Sequence, residues 1–113
     1  MKIREAIFFK DYFEKFFIRQ SKKNKAKIIW TIQLIEELER VPESYLKKIE
    51  SMDCLYEIRV KQGGNILRIF CFFDYDKLII LANGFQKKTQ KTQKKKEIIK
   101  ALKIMEEYNN EKE

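Results

Sequence analysis

Histidine is absent from this chain of 113 residues, and cysteine, proline and glycine are scarce, with two, one and three copies. Without histidine no Ser-His or Cys-His catalytic pair can form, so acid-base chemistry falls to Lys, Glu, Asp, Tyr or Arg. The two cysteines, Cys54 and Cys71, cannot complete a zinc site by themselves, so we expect no metal and no other cofactor. Both are expected to be reduced and to pack as small apolar side chains.

Long apolar runs are also missing. No segment approaches the roughly 18 apolar residues that a membrane-spanning helix requires. Charged residues interrupt the segment 1–17 too often for a secretory signal peptide. We therefore expect a cytoplasmic protein that does not insert into a membrane.

Positive charge is what the chain has in excess. The formal net charge is +8 and the pI is about 9.5. This balance favours an anionic partner such as nucleic acid, an acidic protein or a membrane surface. Hydrophobic residues make up 44% of the chain and are spread along it, so we expect one folded domain that covers residues 1–113.

In the N-terminal half, hydrophobic periodicity is mostly that of helices. It predicts a strand over 2–9, helices over 12–20 and 26–41, and a short third helix over 43–51. Asp11, with Glu14 three residues later, resembles a capping box at the start of the first helix. Pro42 ends the second helix or starts the next turn.

From Cys54 onward the apolar period changes to that of strands. It predicts strands over 54–61, 65–73 and 78–85, a basic connector over 86–97 and a closing amphipathic helix over 98–108. The predicted class is α+β. An antiparallel sheet, made of the first strand and a three-stranded meander, packs on one face against an N-terminal helical hairpin and a C-terminal helix.

A Gly63-Gly64 turn sets the register of the first hairpin in the meander. With a two-residue loop, Arg59 lies opposite Arg68 on one face, with Cβ atoms about 5 Å apart. The same face carries Glu57, Lys61, Phe70 and Phe72. Guanidinium groups bind phosphate in a bidentate manner and aromatic rings stack on bases, so this face suits a phosphodiester with its bases. The alternative is an ordinary solvated sheet face, on which Glu57 pairs with an arginine.

A run of lysines follows the last predicted strand. Residues 86–97 contain six lysines and one glutamate, and they carry +5 of the net charge. Such a run is more often a solubilising surface than a binding site. Because Lys87 and Lys88 directly follow a strand that pairs near the arginine hairpin, we expect them to extend the basic face.

Taken together, these motifs resemble a known family. The segments LYEIRV, GGNILRIFCFF, KLIILANGFQKKTQKT and EIIKALKIMEEY are similar to those of the HigB-like branch of the RelE/ParE toxin superfamily. These proteins are the toxins of type II toxin–antitoxin modules. The resemblance covers most of the chain and implies a RelE-like toxin fold, although relatives often carry histidine at the position of Asn83.

The resemblance also implies a function. Toxins of this branch are metal-independent, ribosome-dependent mRNA endonucleases (mRNA interferases) that inhibit translation. A cognate HigA-like antitoxin with a helix-turn-helix domain neutralises them, and operator DNA is bound only through the complex. The ParE branch poisons gyrase instead, so a gyrase poison and a non-catalytic RNA-binding module remain as alternatives.

The resemblance assigns roles to the basic residues. The resemblance matches Arg59, Lys61, Arg68, Lys87 and Lys88 to the basic positions of the family. The predicted catalytic set is Arg59, Arg68, Lys87 and Lys88, and the predicted RNA-binding set is Lys61, with Glu57, Lys91 and Lys95 added from their place on the basic face and in the lysine run. The arginines would bind the scissile phosphate and stabilise its developing charge. Glu57 or Lys61 is the candidate base that removes the proton of the 2′-hydroxyl.

Overall fold

A computed structural model shows one mixed sheet with helices on both sides. It describes residues 2–50, 52, 54–75, 77–86 and 91–112, with side chains in the last segment from Gln93 onward. The strands are β1 (Glu5–Phe8), β2 (Leu46–Lys48), β3 (Tyr56–Gln62), β4 (Asn65–Asp74) and β5 (Leu78–Gln86). The helices are α1 (Tyr12–Ile18), α2 (Lys22–Glu37) and α3 (Lys91–Lys112). The sheet order is β1-β5-β4-β3-β2, so the α+β class is confirmed.

The prediction of a wholly antiparallel sheet is wrong at one edge. β1 pairs in parallel with β5, with Glu5 opposite Leu78 and Phe8 opposite Leu81. The other neighbouring pairs are antiparallel. β5 is too apolar to lie at an open edge, and β1 covers the half of it that is richest in isoleucine and leucine.

The prediction that helices cover one face of the sheet is also wrong. α1 and α2 pack on one face, where Phe13, Ile28 and Ile35 meet strand residues such as Ile58. On the opposite face, Ala101 and Ile104 of α3 belong to a second cluster with strand residues that include Phe70, Phe72 and Ile80. Successive residues of β4 and β5 are apolar, so both faces of these strands need cover and a single layer of helices is not enough.

The N-terminal ends of the first two helices depart from prediction in different ways: α2 begins earlier than predicted, and α1 begins at the predicted Tyr12 without the predicted cap. α2 starts at Lys22 because the Ser21 hydroxyl accepts a hydrogen bond from the Asn24 amide at 3.1 Å, which caps the helix. At α1 the predicted capping box does not form, because the Asp11 side chain makes no capping hydrogen bond. Its carboxylate lies 3.4 Å from Lys15 Nζ instead.

The two ends of the site-bearing region also differ from prediction. Residues 43–51 contain the short edge strand β2 instead of a helix, after a turn in which the Pro42 carbonyl accepts hydrogen bonds from the amides of Tyr45 and Leu46. α3 starts at Lys91, inside the predicted connector 86–97. No helix in the described residues is long and apolar enough to cross a bilayer.

The two cysteines have different environments. Both are free thiols. Cys71 is buried in the core, as predicted, and burial raises the pKa of its thiol. Cys54 is exposed, so the prediction that it packs as an apolar side chain is wrong.

A bulge in β5 redirects one polar side chain. Ile69 pairs with Gly84 but Cys71 pairs with Leu81, so β5 has one extra residue opposite Phe70. Asn83 consequently reaches α3, where its side-chain amide donates to the backbone carbonyl of Glu97 at 3.0 Å and to its carboxylate at 2.9 Å.

Gly84, next to the bulge, is expected to tolerate no side chain. A Cβ at this position would lie 2.5–2.8 Å from ring atoms of Phe16, which is buried. We therefore expect Gly84→Ala to lower the free energy of unfolding by about 1–3 kcal/mol, because the ring has to move in a packed core. Gly64→Ala is the control, since nothing lies within 4 Å of its Cβ. Equal midpoints of urea unfolding for the two variants would contradict the prediction.

Candidate functional site

The first hairpin of the meander has the predicted register, and it brings two arginines to one carboxylate. Arg59 pairs with Arg68 across β3 and β4. Arg68 Nη1 donates to Glu57 Oε1, and Arg59 Nε donates to the same oxygen at 3.3 Å. From α3, Lys94 Nζ lies 3.5 Å from Glu57 Oε2. We call these four residues the Glu57 cluster. Its three cations and one carboxylate leave a net charge of +2.

The cluster has a buried layer and an accessible layer. The side chains of Glu57 and Arg68 are 1% and 6% exposed, whereas those of Arg59 and Lys94 are 28% and 42% exposed. Buried Arg68 Nε has no hydrogen-bond partner. Arg59 is therefore the arginine of the cluster that a ligand can reach.

The expectation of an open aromatic and basic face is wrong. Phe70 and Phe72 are buried in the cluster that α3 covers, and cannot stack on bases. Glu57, expected to touch RNA, is buried beneath its cations. The physical reason is the second apolar cluster, which places α3 over the face that the hairpin pattern left open.

The charge of Glu57 depends on its neighbours. Burial alone would raise the pKa of its carboxyl, but attraction from Arg68 and Lys94 and hydrogen bonds from both arginines outweigh this effect. The pKa of Glu57 is therefore lower than the ordinary value of glutamic acid. The carboxylate stays ionised and holds the two guanidinium groups together.

A groove of about 370 Å³ opens beside the Glu57 cluster, between β2, β3 and α3. Its charged lining residues are Lys47, Lys48, Glu50, Glu57, Arg59 and Lys94. Lys47 lies directly opposite Glu57 in the pairing of β2 with β3. The groove is thus lined by four cations and two carboxylates, and the Glu57 carboxylate is already neutralised by its own ion pairs.

Three of these cations are absent from the predicted site. Lys47 and Lys48 lie in the segment that was predicted to be helical, where no pairing with β3 is possible. Lys94 lies in the predicted connector 86–97, which the structure shows to contain the first turns of α3. It precedes the apolar residue Ile98 by four positions, and this helical spacing was a signal that both face the sheet.

The remaining predicted site residues are scattered or lie outside the described residues. Lys61 is exposed near the hairpin turn, on the face of β3 that carries Arg59, and Lys95 is exposed on α3. Lys87 and Lys88, and the side chain of Lys91, lie outside the described residues. In the described part of the chain, no three acidic or cysteine side chains form a set of metal ligands.

Comparison with known proteins places the chain in a family. Residues 15–106 match the family of phage-derived Gp49-like proteins (DUF891). This span runs from α1 into the C-terminal half of α3 and includes every lining residue of the groove. Neither the curated proteins nor the solved structures contain a significant match. The chain therefore belongs to the phage-derived Gp49-like family (DUF891), a toxin-like family of the RelE/ParE type of toxin–antitoxin system.

Proposed function

We propose that this protein is a HigB-like toxin that cleaves mRNA on the translating ribosome. The observation that carries the proposal is the groove beside the Glu57 cluster, where Arg59, Lys47 and Lys94 surround a space of about 370 Å³. Cations held around a groove of this kind suit a phosphodiester. Membership of a toxin-like family supports the toxin role.

The chemistry that fits such a site needs no metal. The 2′-oxygen of one nucleotide attacks the adjacent phosphorus, and the bond from phosphorus to the 5′-oxygen breaks. The products are a 2′,3′-cyclic phosphate and a 5′-hydroxyl, and the proton lost by the 2′-hydroxyl is balanced by one delivered to the 5′-oxygen. Negative charge develops on the phosphorane oxygens, where Arg59 and Lys94 stabilise it.

The buried residues act through the accessible ones. Arg68 holds Glu57, and Glu57 in turn holds Arg59 at the groove. Glu57 is a poor proton acceptor, because its pKa is lowered and its oxygens are occupied by cations. The proposal therefore keeps Lys61 as the candidate base and Lys87 or Lys88 as the candidate proton donor, with ribosomal RNA completing the site.

A cognate antitoxin of the HigA-like, helix-turn-helix class would neutralise the toxin in the cytoplasm. The net charge of +8 suits an acidic inhibitory segment laid over the groove. Operator DNA would be bound through the antitoxin in the complex.

Transcript mapping after induced expression tests the proposal. We expect new 5′-ends within reading frames, mapped by primer extension, and their loss when ribosomes are blocked at initiation. DNA damage with intact transcripts would show a gyrase poison instead. Intact transcripts and intact DNA, with RNA binding by the purified chain, would show a non-catalytic RNA-binding module.

A further inference from the structure

A second basic surface, on α2, carries a half-exposed tryptophan. Trp30 is 44% exposed, and Lys27 Nζ lies 4.0 Å from the centroid of its ring. The ring also meets Tyr45 edge-on, with centroids 6.0 Å apart. A shallow groove of about 530 Å³ is lined here by Lys23, Ala26, Lys27, Trp30 and Gln62, and we call it the Trp30 surface.

The charge of this surface has one sign. Residues 22–35 contain four lysines and no acidic residue. The lysines lie in the first two turns of α2, where the helix dipole adds partial positive charge. Because like charges destabilise this end of the helix, its composition is better explained by an anionic partner than by stability of the helix.

An exposed indole beside lysines fits single-stranded nucleic acid. Aromatic side chains stack on unpaired bases while neighbouring cations contact the backbone phosphates. A double helix offers its bases no such access, because they are stacked inside it. The chemistry of the Trp30 surface therefore selects an unpaired strand.

The Trp30 surface lies close to the groove beside the Glu57 cluster. β2 pairs with β3 from Tyr56 to Ile58, and directly beyond this pairing the Arg59 amide donates to the Tyr45 carbonyl at 2.9 Å. Tyr45 thus contacts Trp30 through its ring and Arg59 through its backbone. Gln62, which lines the Trp30 surface, lies three residues beyond Arg59, roughly 10 Å along the strand. The edge of β3 from Arg59 to Gln62 separates the two sites.

From this geometry we infer that the Trp30 surface is a second binding site for single-stranded RNA. A base stacks on the indole of Trp30, and Lys23 and Lys27 bind the flanking phosphates, with Lys27 leaving its place over the ring. The same strand passes the edge of β3 and enters the groove at Arg59. The inference rests on the proposed function in taking RNA as the nucleic acid, and it adds a contact outside the cleavage site.

The test uses the fluorescence of Trp30, which is the sole tryptophan in the sequence. We expect a single-stranded oligonucleotide of about ten nucleotides, made uncleavable by 2′-O-methyl groups, to quench it in a salt-dependent manner. Binding measured by anisotropy of a labelled oligonucleotide should weaken about tenfold in Trp30→Ala and recover in Trp30→Phe. Ile29→Ala is the matched control, because the neighbouring Ile29 is 47% exposed and offers no ring.

Two results would overturn the inference. One is equal affinity of Trp30→Ala and the unmodified protein for the oligonucleotide, with no quenching. The other is a fluorescence change with a polyglutamate peptide and none with the RNA oligonucleotide, which would make this surface a binding site for an acidic protein segment. The oligonucleotide cannot be cleaved and no ribosome is present, so either failure leaves the transcript-mapping test of the proposed function unaffected. Conversely, Arg59→Ala should lose cleavage and retain the quenching of Trp30.

Discussion

Replacement of Arg59 by alanine is expected to reduce RNA cleavage by at least about 100-fold while the protein stays folded. Arg59 is the accessible guanidinium of the Glu57 cluster and lines the groove. Loss of a donor that stabilises charge in the transition state commonly has an effect of this size. The fold should persist because Glu57 keeps Arg68 and Lys94 as partners.

The measurement is the yield of new 5′-ends in a ribosome-containing cleavage reaction, with circular dichroism of the purified variant to verify folding. Arg40→Ala is the control, because it removes the same charge from an exposed residue that does not line the groove. Arg59→Lys should show an intermediate rate, since lysine keeps the charge and loses the planar fork. A folded Arg59→Ala variant that cleaves as fast as Arg40→Ala would refute the site.

Replacement of Glu57 by glutamine is expected to destabilise the fold by about 3 kcal/mol at neutral pH. The change leaves the buried guanidinium of Arg68 without its counter-ion, while the cations Arg59 and Lys94 remain nearby. Urea unfolding of the purified proteins measures the loss. Glu50→Gln is the matched control, because Glu50 lines the same groove but is exposed.

The effect should depend on pH in a definite direction. The pKa of Glu57 is lowered in the folded protein, so its contribution is fully present above about pH 4.5, the ordinary value for glutamic acid, and is lost as the pH falls through the folded-state pKa. The difference in the free energy of unfolding between the unmodified protein and Glu57→Gln should therefore become smaller in acid. A gap that stays constant from neutral pH to pH values well below 4.5 would show that the loss is not electrostatic.

A paired replacement separates stability from function. Glu57→Leu combined with Arg68→Met should recover most of the stability, because apolar residues of similar volume often replace a buried ion pair without loss. The paired variant should remain poor in cleavage, since Arg59 has lost the carboxylate that positions it. Restored cleavage in the paired variant would show that Glu57 has no positioning role.

Local pattern was enough to predict the hairpin but not its surroundings. The Gly63-Gly64 turn and the period of two fix the register, and the structure pairs Arg59 with Arg68 as expected. Which face is buried depends on residues far along the chain. The apolar face of α3 begins about 30 residues after Arg68 and covers Phe70 and Phe72, so a pattern read within the hairpin could not show it.

The cations of the groove illustrate the same limit. Lys47 reaches the site because β2 is a strand, yet its three residues are too few to show a period. The pairing of Lys47 with Glu57 is a tertiary contact that the local sequence does not encode. Lys94 could be predicted to face the sheet, because it lies one helical turn before the apolar residue Ile98 and therefore on the same side of the helix.

The internal carboxylate of the Glu57 cluster has a consequence for inhibition. Glu57 holds the guanidinium groups in place within the folded chain, so they are organised before any ligand binds. Little freedom is then lost on binding, and no rearrangement is needed to assemble the site. Because these ion pairs are buried in the folded domain, we expect the antitoxin of the proposed toxin to act by shielding the entrance of the groove.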